Sequence, residues 1–286
     1  MKILTLVAAL MVGYVILLVN PMMRTILIGV TGASSSGKST IANILRTILR
    51  NCEIIHEDDF FKLEKDVPFD KKRNDRDWDC PDAIDIDKLK KTLALLKNGN
   101  MKSTYLSGFP VIRNEGGYYD YSLKSTEPPR NDSHFKCKPQ TISKLKNEFD
   151  LLVNKRRYGE YRIFLVDGFL ILHDVELLQQ LDLTLFIKAN YSTLKSRREK
   201  RIYTVEGKEW VDPEGYFDKF VWPGYYNNHK KIFINGSDEE VVKLSGGDLD
   251  AKFKYRYRVN EFRNDEYTNA DDMIEEITTC IFRTIF

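Results

Sequence analysis

Cysteine is scarce in this chain of 286 residues: Cys52, Cys80, Cys137 and Cys280 stand far apart, with no CxxC pair. That spacing removes a zinc ribbon and a dithiol redox centre from consideration, and free thiols in a reducing compartment are the simplest account. Surplus charge is missing as well. Against 44 Lys and Arg stand 42 Asp and Glu, a net charge of +2, so the strongly basic face of a nucleic-acid binder is not expected. No internal repeat is visible, and the length reads as one elaborated domain over residues 23–286. Long apolar runs are absent with one exception, Ile3 to Val19, which is uncharged throughout and reaches the short end of what crosses a bilayer as a helix. Asn20-Pro21 stands where a signal peptidase needs small residues, which argues against cleavage and secretion. Residues 1–22 therefore read in one of two ways. Either the leader is absent from the working protein, whose domain starts near Met22 and Met23, or it anchors a cytosolic domain to a membrane.

What is present is a phosphate loop. Gly32-Ala33-Ser34-Ser35-Ser36-Gly37-Lys38-Ser39 reads GxxxxGK[ST], between the β-branched run Thr25 to Thr31 and a stretch with Ile41, Ile44, Leu45 and Ile48 at helical spacing. Glycines let the backbone curl so that successive N–H groups face one centre, and the following helix adds the partial positive charge of its N-terminus. Lys38 then meets the β- and γ-phosphates of a nucleoside triphosphate, and the Ser39 hydroxyl is placed for Mg²⁺.

The rest alternates strand and helix. Glu53 to His56 is a short strand running into Glu57-Asp58-Asp59-Phe60-Phe61, and a helix follows Pro81 with Ile86, Leu89, Leu93 and Leu96 on one stripe. Residues 101–140, rich in Gly, Pro, Ser, Asn and Tyr, read as a polar surface insertion without chemistry. Ile142, Leu145, Phe149 and Leu152 mark another helix. The strand from Tyr161 to Val166 ends in Asp167-Gly168-Phe169, similar to a Walker B element whose acid holds Mg²⁺. Leu183 to Ile187 is the fourth strand, Tyr191 to Arg201 a helix, and Ile232 to Asn235 the fifth strand, closed by Asn235-Gly236. Residues 237–268 read as polar and irregular, and a terminal helix covers about 269–285. The expected fold is α/β: a three-layer P-loop NTPase with a five-stranded parallel sheet, a helical lid and the polar insertion.

Three groups suggest the chemistry. Asp58, at the carboxyl end of the second strand, is the candidate base that takes the proton of an acceptor hydroxyl, with Lys38 as the catalytic cation. Arg197, Arg198 and Arg201 share a broad face of one helix and suit a lid closing over phosphate. The ring-rich stretch Asp212 to Pro223 reads as an amphipathic helix pressed on the core.

Taken together, GASSSGKST, IHEDDFFK, Trp78-Asp79, VDGFLI, SRREKRIY and GYFDKFVWP resemble the nicotinamide riboside kinases, most of all the fungal members, over roughly Thr25 to Ser237 without the insertion. The resemblance implies Mg²⁺ and ATP as cofactors and transfer of phosphate to the 5′-hydroxyl of nicotinamide riboside in NAD salvage. It implies that Gly32 to Ser39 and Thr40 hold ATP together with Arg197, Arg201, Ile202 and Tyr203, that Asn235 and Gly236 meet adenine, and that Ser39, Asp58 and Asp167 serve the metal. The riboside would lie against Asp58, Asp59, Phe60, Phe61, Trp78, Asp79, Arg198, Tyr203 and Thr204. A pyridinium held between Trp78 and Tyr203 gains about 1–2 kcal/mol from the ring quadrupoles. Nicotinic acid riboside would be accepted by the same walls. The expected partner is a small-molecule riboside rather than nucleic acid, with a membrane only if the leader is retained, and the expected state is a cytoplasmic monomer. A uridine or cytidine kinase on the same scaffold, or a nucleotide-binding regulator without catalysis, are the competing readings.

Overall fold

The computed structural model describes residues 24–71, 74–98, 135–155, 161–205 and 208–286, with the backbone alone for residues 75, 202–205 and 208–210. Residues 1–22 and most of the insertion lie outside the described residues. Five parallel strands form the central sheet in the order β2-β5-β1-β6-β9, where β1 is Arg24–Thr31, β2 Cys52–His56, β5 Tyr161–Gly168, β6 Leu183–Lys188 and β9 Val259–Arg263. Two short antiparallel pairs accompany it, β3 (Phe69–Asp70) with β4 (Asp75–Arg76) and β7 (Ile202–Val205) with β8 (Lys208–Val211).

Strand alternation divides the core into two layers. Ile26, Ile28 and Val30 of β1 face a cluster with Ile163 and Leu165 of β5. That cluster is covered by α1 (Lys38–Ile48), α3 (Pro139–Lys155) and α9 (Ala270–Ile285). Leu27 points the other way, into a cluster with Phe164, Val166 and Phe186. Over it lie α2 (Ile86–Lys97), α4 (Val175–Gln180), α5 (Tyr191–Glu199), α6 (Trp222–His229), α7 (Glu239–Ser245) and α8 (Ala251–Tyr257). Strands covered on both faces must be apolar nearly throughout, and β6 is buried at every position.

Four expectations change. The fifth strand is β9, not Ile232 to Asn235: the latter makes only an isolated bridge between Phe233 and Leu249, and Tyr225, His229 and Phe186 pack around the Phe233 ring. Residues 237–268 are not irregular, since they hold α7, α8 and β9; Asp238 and Asp250 cap the two helices with side-chain oxygens. Order also resumes before residue 140, because Phe135 is buried and α3 starts at Pro139. The helix expected to reach Arg201 stops at Glu199, and the segment beyond it is the β7–β8 hairpin. The ring-rich stretch is helical, a π turn over Phe217–Val221 running into α6, with Phe217 and Trp222 buried.

Among the described residues no helix is long and apolar enough to cross a membrane, and the four cysteines are free thiols.

Candidate active site

The parallel register brings the chemistry to one edge. Val30 lies beside Asp167 across β1 and β5, and Asp167 beside His56 across β5 and β2. The carboxyl ends of three neighbouring strands thus deliver the phosphate loop, Asp167 and the turn carrying Asp58 to the same place, the crevice where open α/β sheets bind ligands.

The loop is shaped by backbone that only glycine tolerates. Gly37 has φ +93°, and a Cβ there would collide with the Asn264 carboxamide; a Cβ on Gly32 would strike the Ile187 carbonyl oxygen. Buried oxygens around this edge without a hydrogen-bond partner among the described residues include Thr31 Oγ1, Ser35 Oγ, Ser36 Oγ and Asp167 Oδ1. Native interiors rarely leave such groups unpaired. Hydroxyls around a phosphate cradle and a carboxylate oxygen beside Ser39 are the donor set that a metal-bound triphosphate satisfies. Among the described residues no group of three or more His, Cys, Asp or Glu could hold a metal by itself, and a Mg²⁺ that arrives with phosphates needs none.

Charges cross-couple in this space. Burial pushes the Lys38 ammonium below its ordinary pKa, and the carboxylates of Asp167 and Asp58 oppose that shift. Burial also resists ionisation of Asp167, but the hydrogen bond from His56 Nδ1 (3.2 Å) and the charges of Lys38 and His56 outweigh it, with Ser39 bonded to the same carboxylate. Asp167 is therefore held below the usual carboxylate range. Asp58 is exposed as a residue, yet desolvation of its carboxyl by the surrounding protein raises its pKa, Lys38 pulling down and Asp167 pushing up. Asp59 is raised likewise by burial, against the pull of His56. Next to them Glu57 is fully buried, and its carboxyl is pushed up to about 8, chiefly by burial, against the amide hydrogen bonds of Leu170 and Phe169.

An aromatic wall stands beside this centre. Phe61 meets Trp78 edge-on, ring centroids 5.6 Å apart, and leans on Phe169 at 6.4 Å. Trp78 and Asp79 sit in a turn docked on α6, where Asn228 Nδ2 donates to the Asp79 carbonyl at 3.2 Å. Gly224 makes the approach possible, because a Cβ there would be 3.0 Å from that of Asp79. Phe60 is buried and lies in the hydrophobic core rather than on the cleft surface.

The three arginines divide. Arg198 donates through Nε to Asp212 Oδ2 at 2.6 Å and through Nη1 to Ser34 Oγ at 2.8 Å, which links the phosphate loop to the far side of the hairpin. Arg197 instead donates to the carbonyls of Asn264 (2.9 Å) and Asp265 (3.4 Å). Arg201, one residue beyond the last turn, adds its charge near Asp58 and Lys38. They do not share one helical face. Ile202, Tyr203 and Thr204 lie in β7, and their side chains lie outside the description.

Asn235 and Gly236 form a turn tied to their own neighbourhood: Tyr226 Oη donates to the Gly236 carbonyl at 2.8 Å, and a Cβ on Gly236 would enter Lys230. No described hydrogen bond joins them to the phosphate loop. The segment that does touch the loop follows β9. Asn264, buried, donates from Nδ2 to the Ser36 carbonyl at 2.8 Å and from its amide to the Lys188 carbonyl at 2.8 Å. Its only sequence signal is an Asn at a strand exit, too common to single out.

A family model described as "Phosphoribulokinase / Uridine kinase family" matches residues 27–109. A Saccharomyces cerevisiae protein named nicotinamide riboside kinase is 33% identical over 220 residues, covering 77% of this chain and 83% of the relative. A Schizosaccharomyces pombe protein of the same name is 31% identical over 254 residues, 84% of this chain and 97% of the relative. The human nicotinamide riboside kinase 1 is 26% identical over 224 residues, 78% and 85% of the two chains.

Proposed function

The chain belongs to the nicotinamide riboside kinase family, and from that premise we propose that it transfers the γ-phosphate of ATP to the 5′-hydroxyl of nicotinamide riboside, giving the mononucleotide and ADP. The observation that carries the reading is the meeting of a phosphate loop, Asp58 and Asp167 at one sheet edge, next to the aromatic wall of Phe61 and Trp78. A phosphate donor and a flat, positively charged acceptor need these two halves side by side.

In this reading the loop amides and Lys38 cradle the triphosphate, and Asp58 orients the acceptor hydroxyl and takes its proton as the oxygen attacks phosphorus in line. Arg201 and Arg198 add countercharge above the transferred group. Trp78 carries the nicotinamide ring, Asp79 and Arg198 the ribose, with Asp59 and Phe61 completing the pocket and Tyr203 and Thr204 on the opposite side. Ser39, Asp58 and Asp167 would hold Mg²⁺, which when bound neutralises phosphate charge. Arg197, held by the carbonyls of Asn264 and Asp265, would flank the ATP site, with Asn235 and Gly236 meeting adenine. The working protein is a cytoplasmic monomer in NAD salvage.

An ADP-release assay across nicotinamide riboside, nicotinic acid riboside, uridine and cytidine tests this. Turnover is expected on the pyridine ribosides, and Asp58→Asn should lower it by about 100-fold or more while ATP still binds. Turnover confined to uridine and cytidine would transfer the assignment to the pyrimidine nucleosides. Near-normal turnover of Asp58→Asn would remove the base.

A further inference from the structure

Beyond their last ladder pair, His56 with Asp167, strands β2 and β5 have no backbone bonds left to hold their exits together. One side chain takes over. Glu57, in the turn Glu57–Phe60, is wholly buried, and its Oε2 accepts from the amides of both Phe169 (2.7 Å) and Leu170 (3.0 Å). The approach depends on Gly168, where a Cβ would lie 2.5 Å from Oε2 and 2.7 Å from Cδ. Its other oxygen, Oε1, is buried without a hydrogen-bond partner among the described residues. One oxygen of a buried carboxyl thus carries both amides, which an apolar side chain would leave without an acceptor.

We propose that Glu57 is a positioning residue, which sets the turn bearing Asp58, and the ring of Phe169 behind Phe61 and Trp78, relative to Asp167. The inference rests on the phosphotransfer reading above. The anchored amides belong to the segment directly after Asp167-Gly168, and the anchoring carboxyl belongs to the residue directly before Asp58. Through Phe169 the same anchor reaches Phe61, and through Phe61 it reaches Trp78. Loss of the anchor lets base and wall drift from the phosphate loop, while the loop itself, built by β1, α1 and Asn264, stays as it is. Both bonds need only an acceptor, so a carboxamide oxygen serves as well as a carboxylate.

The test compares Glu57→Gln, Glu57→Met and the wild type by steady-state kinetics, by calorimetric ATP affinity and by amide hydrogen exchange. Glu57→Gln should keep kcat within threefold. Glu57→Met should lose at least tenfold in kcat and raise the riboside KM, with the ATP Kd within threefold of wild type. The amides of Phe169 and Leu170 should exchange slowly in the wild type. Any of four results overturns the proposal: a Met variant with kcat within threefold, a Gln variant as impaired as Met, ATP binding lost in proportion to kcat, or fast exchange of both amides in the wild type. A wild-type protein inert towards every riboside would instead sink the phosphotransfer reading, and the exchange rates would still decide whether the anchor exists.

Discussion

One buried histidine, on the helix against which the Trp78-Asp79 turn docks, should withdraw its share of the protein's stability in acid. His229 is buried in α6, its Nδ1 donating to the Tyr225 carbonyl at 2.8 Å, with the rings of Tyr225 and Phe233 at 4.8 and 6.2 Å. Burial lowers its pKa from 6.5 to about 4, with the neighbouring His173 adding to the shift and the Tyr225 hydrogen bond opposing it. Because the folded value lies below the unfolded one, the unfolded chain takes up a proton first as pH falls. The contribution of His229 is thus complete above pH 6.5, declines below it and levels off under pH 4. The full loss is ~3.4 kcal/mol at 1.36 kcal/mol per pKa unit, of which about 2 kcal/mol has gone by pH 5. Asp271, held at about 2 chiefly by the Lys138 amide, loses its contribution only below about pH 4, outside the window. Glu57, whose folded value of about 8 lies above its unfolded one, gains stability over the same range in both proteins and cancels in their difference, so urea unfolding at pH 7, 6 and 5 should show the wild type falling by about 2 kcal/mol relative to His229→Gln by pH 5. Parallel curves for the two proteins would refute the argument, since the histidine would then carry no share of the acid sensitivity.

Further outcomes follow from the site. Trp78→Ala should raise the KM for nicotinamide riboside by about 5- to 30-fold, the worth of ~1–2 kcal/mol of ring–cation contact, and leave the ATP KM nearly unchanged; equal effects on both would mark the tryptophan as structural. Gly37→Ala, forced to φ +93° and against Asn264, should cost about 1–3 kcal/mol in thermal stability and weaken ATP binding measured by calorimetry, and wild-type behaviour would contradict the loop geometry. Asp212→Ala strips Arg198 of its carboxylate partner; the pair is mostly buried, with side-chain exposures of 15% and 8%, so the Tm should drop, by less than the ~3–5 kcal/mol of a fully buried pair because Ser34 remains.

Local pattern made much of this molecule legible. β1 and β6 announce themselves because both faces are covered, so nearly every residue is apolar. The phosphate loop, Asp58 and Asp167 were readable because each stands at a strand exit within a few residues of its motif. The fifth strand was not. Val259–Arg263 is an edge strand with exposed Asn260 and Arg263, and its muted pattern lost to the more apolar Ile232 to Asn235, which is apolar because Phe233 fills the space between α6 and β6. The short helices α7 and α8 offer too few turns for a period to show, although their Asp caps were in plain view. In the site, Glu57 was visible only as one more acid in a turn, and Asn264 not at all. Their partners are 112 and 228 residues away, a distance over which periodicity says nothing.

The hydrogen bond from Asn264 to the carbonyl of Ser36 also bears on how the protein is made. Ribosomes release a chain from its N-terminus at roughly 5–20 residues per second, so the phosphate loop leaves the tunnel long before its brace. Until β9 has slotted beside β6 and α9 has closed over α1 and α3, the loop's outer side is bare. A nascent chain, or one cut short before residue 264, carries the whole nucleotide motif and still lacks the part that holds it in shape. The brace on the phosphate loop is therefore among the last parts of this polypeptide to be made, and it comes with the C-terminal strand and helix.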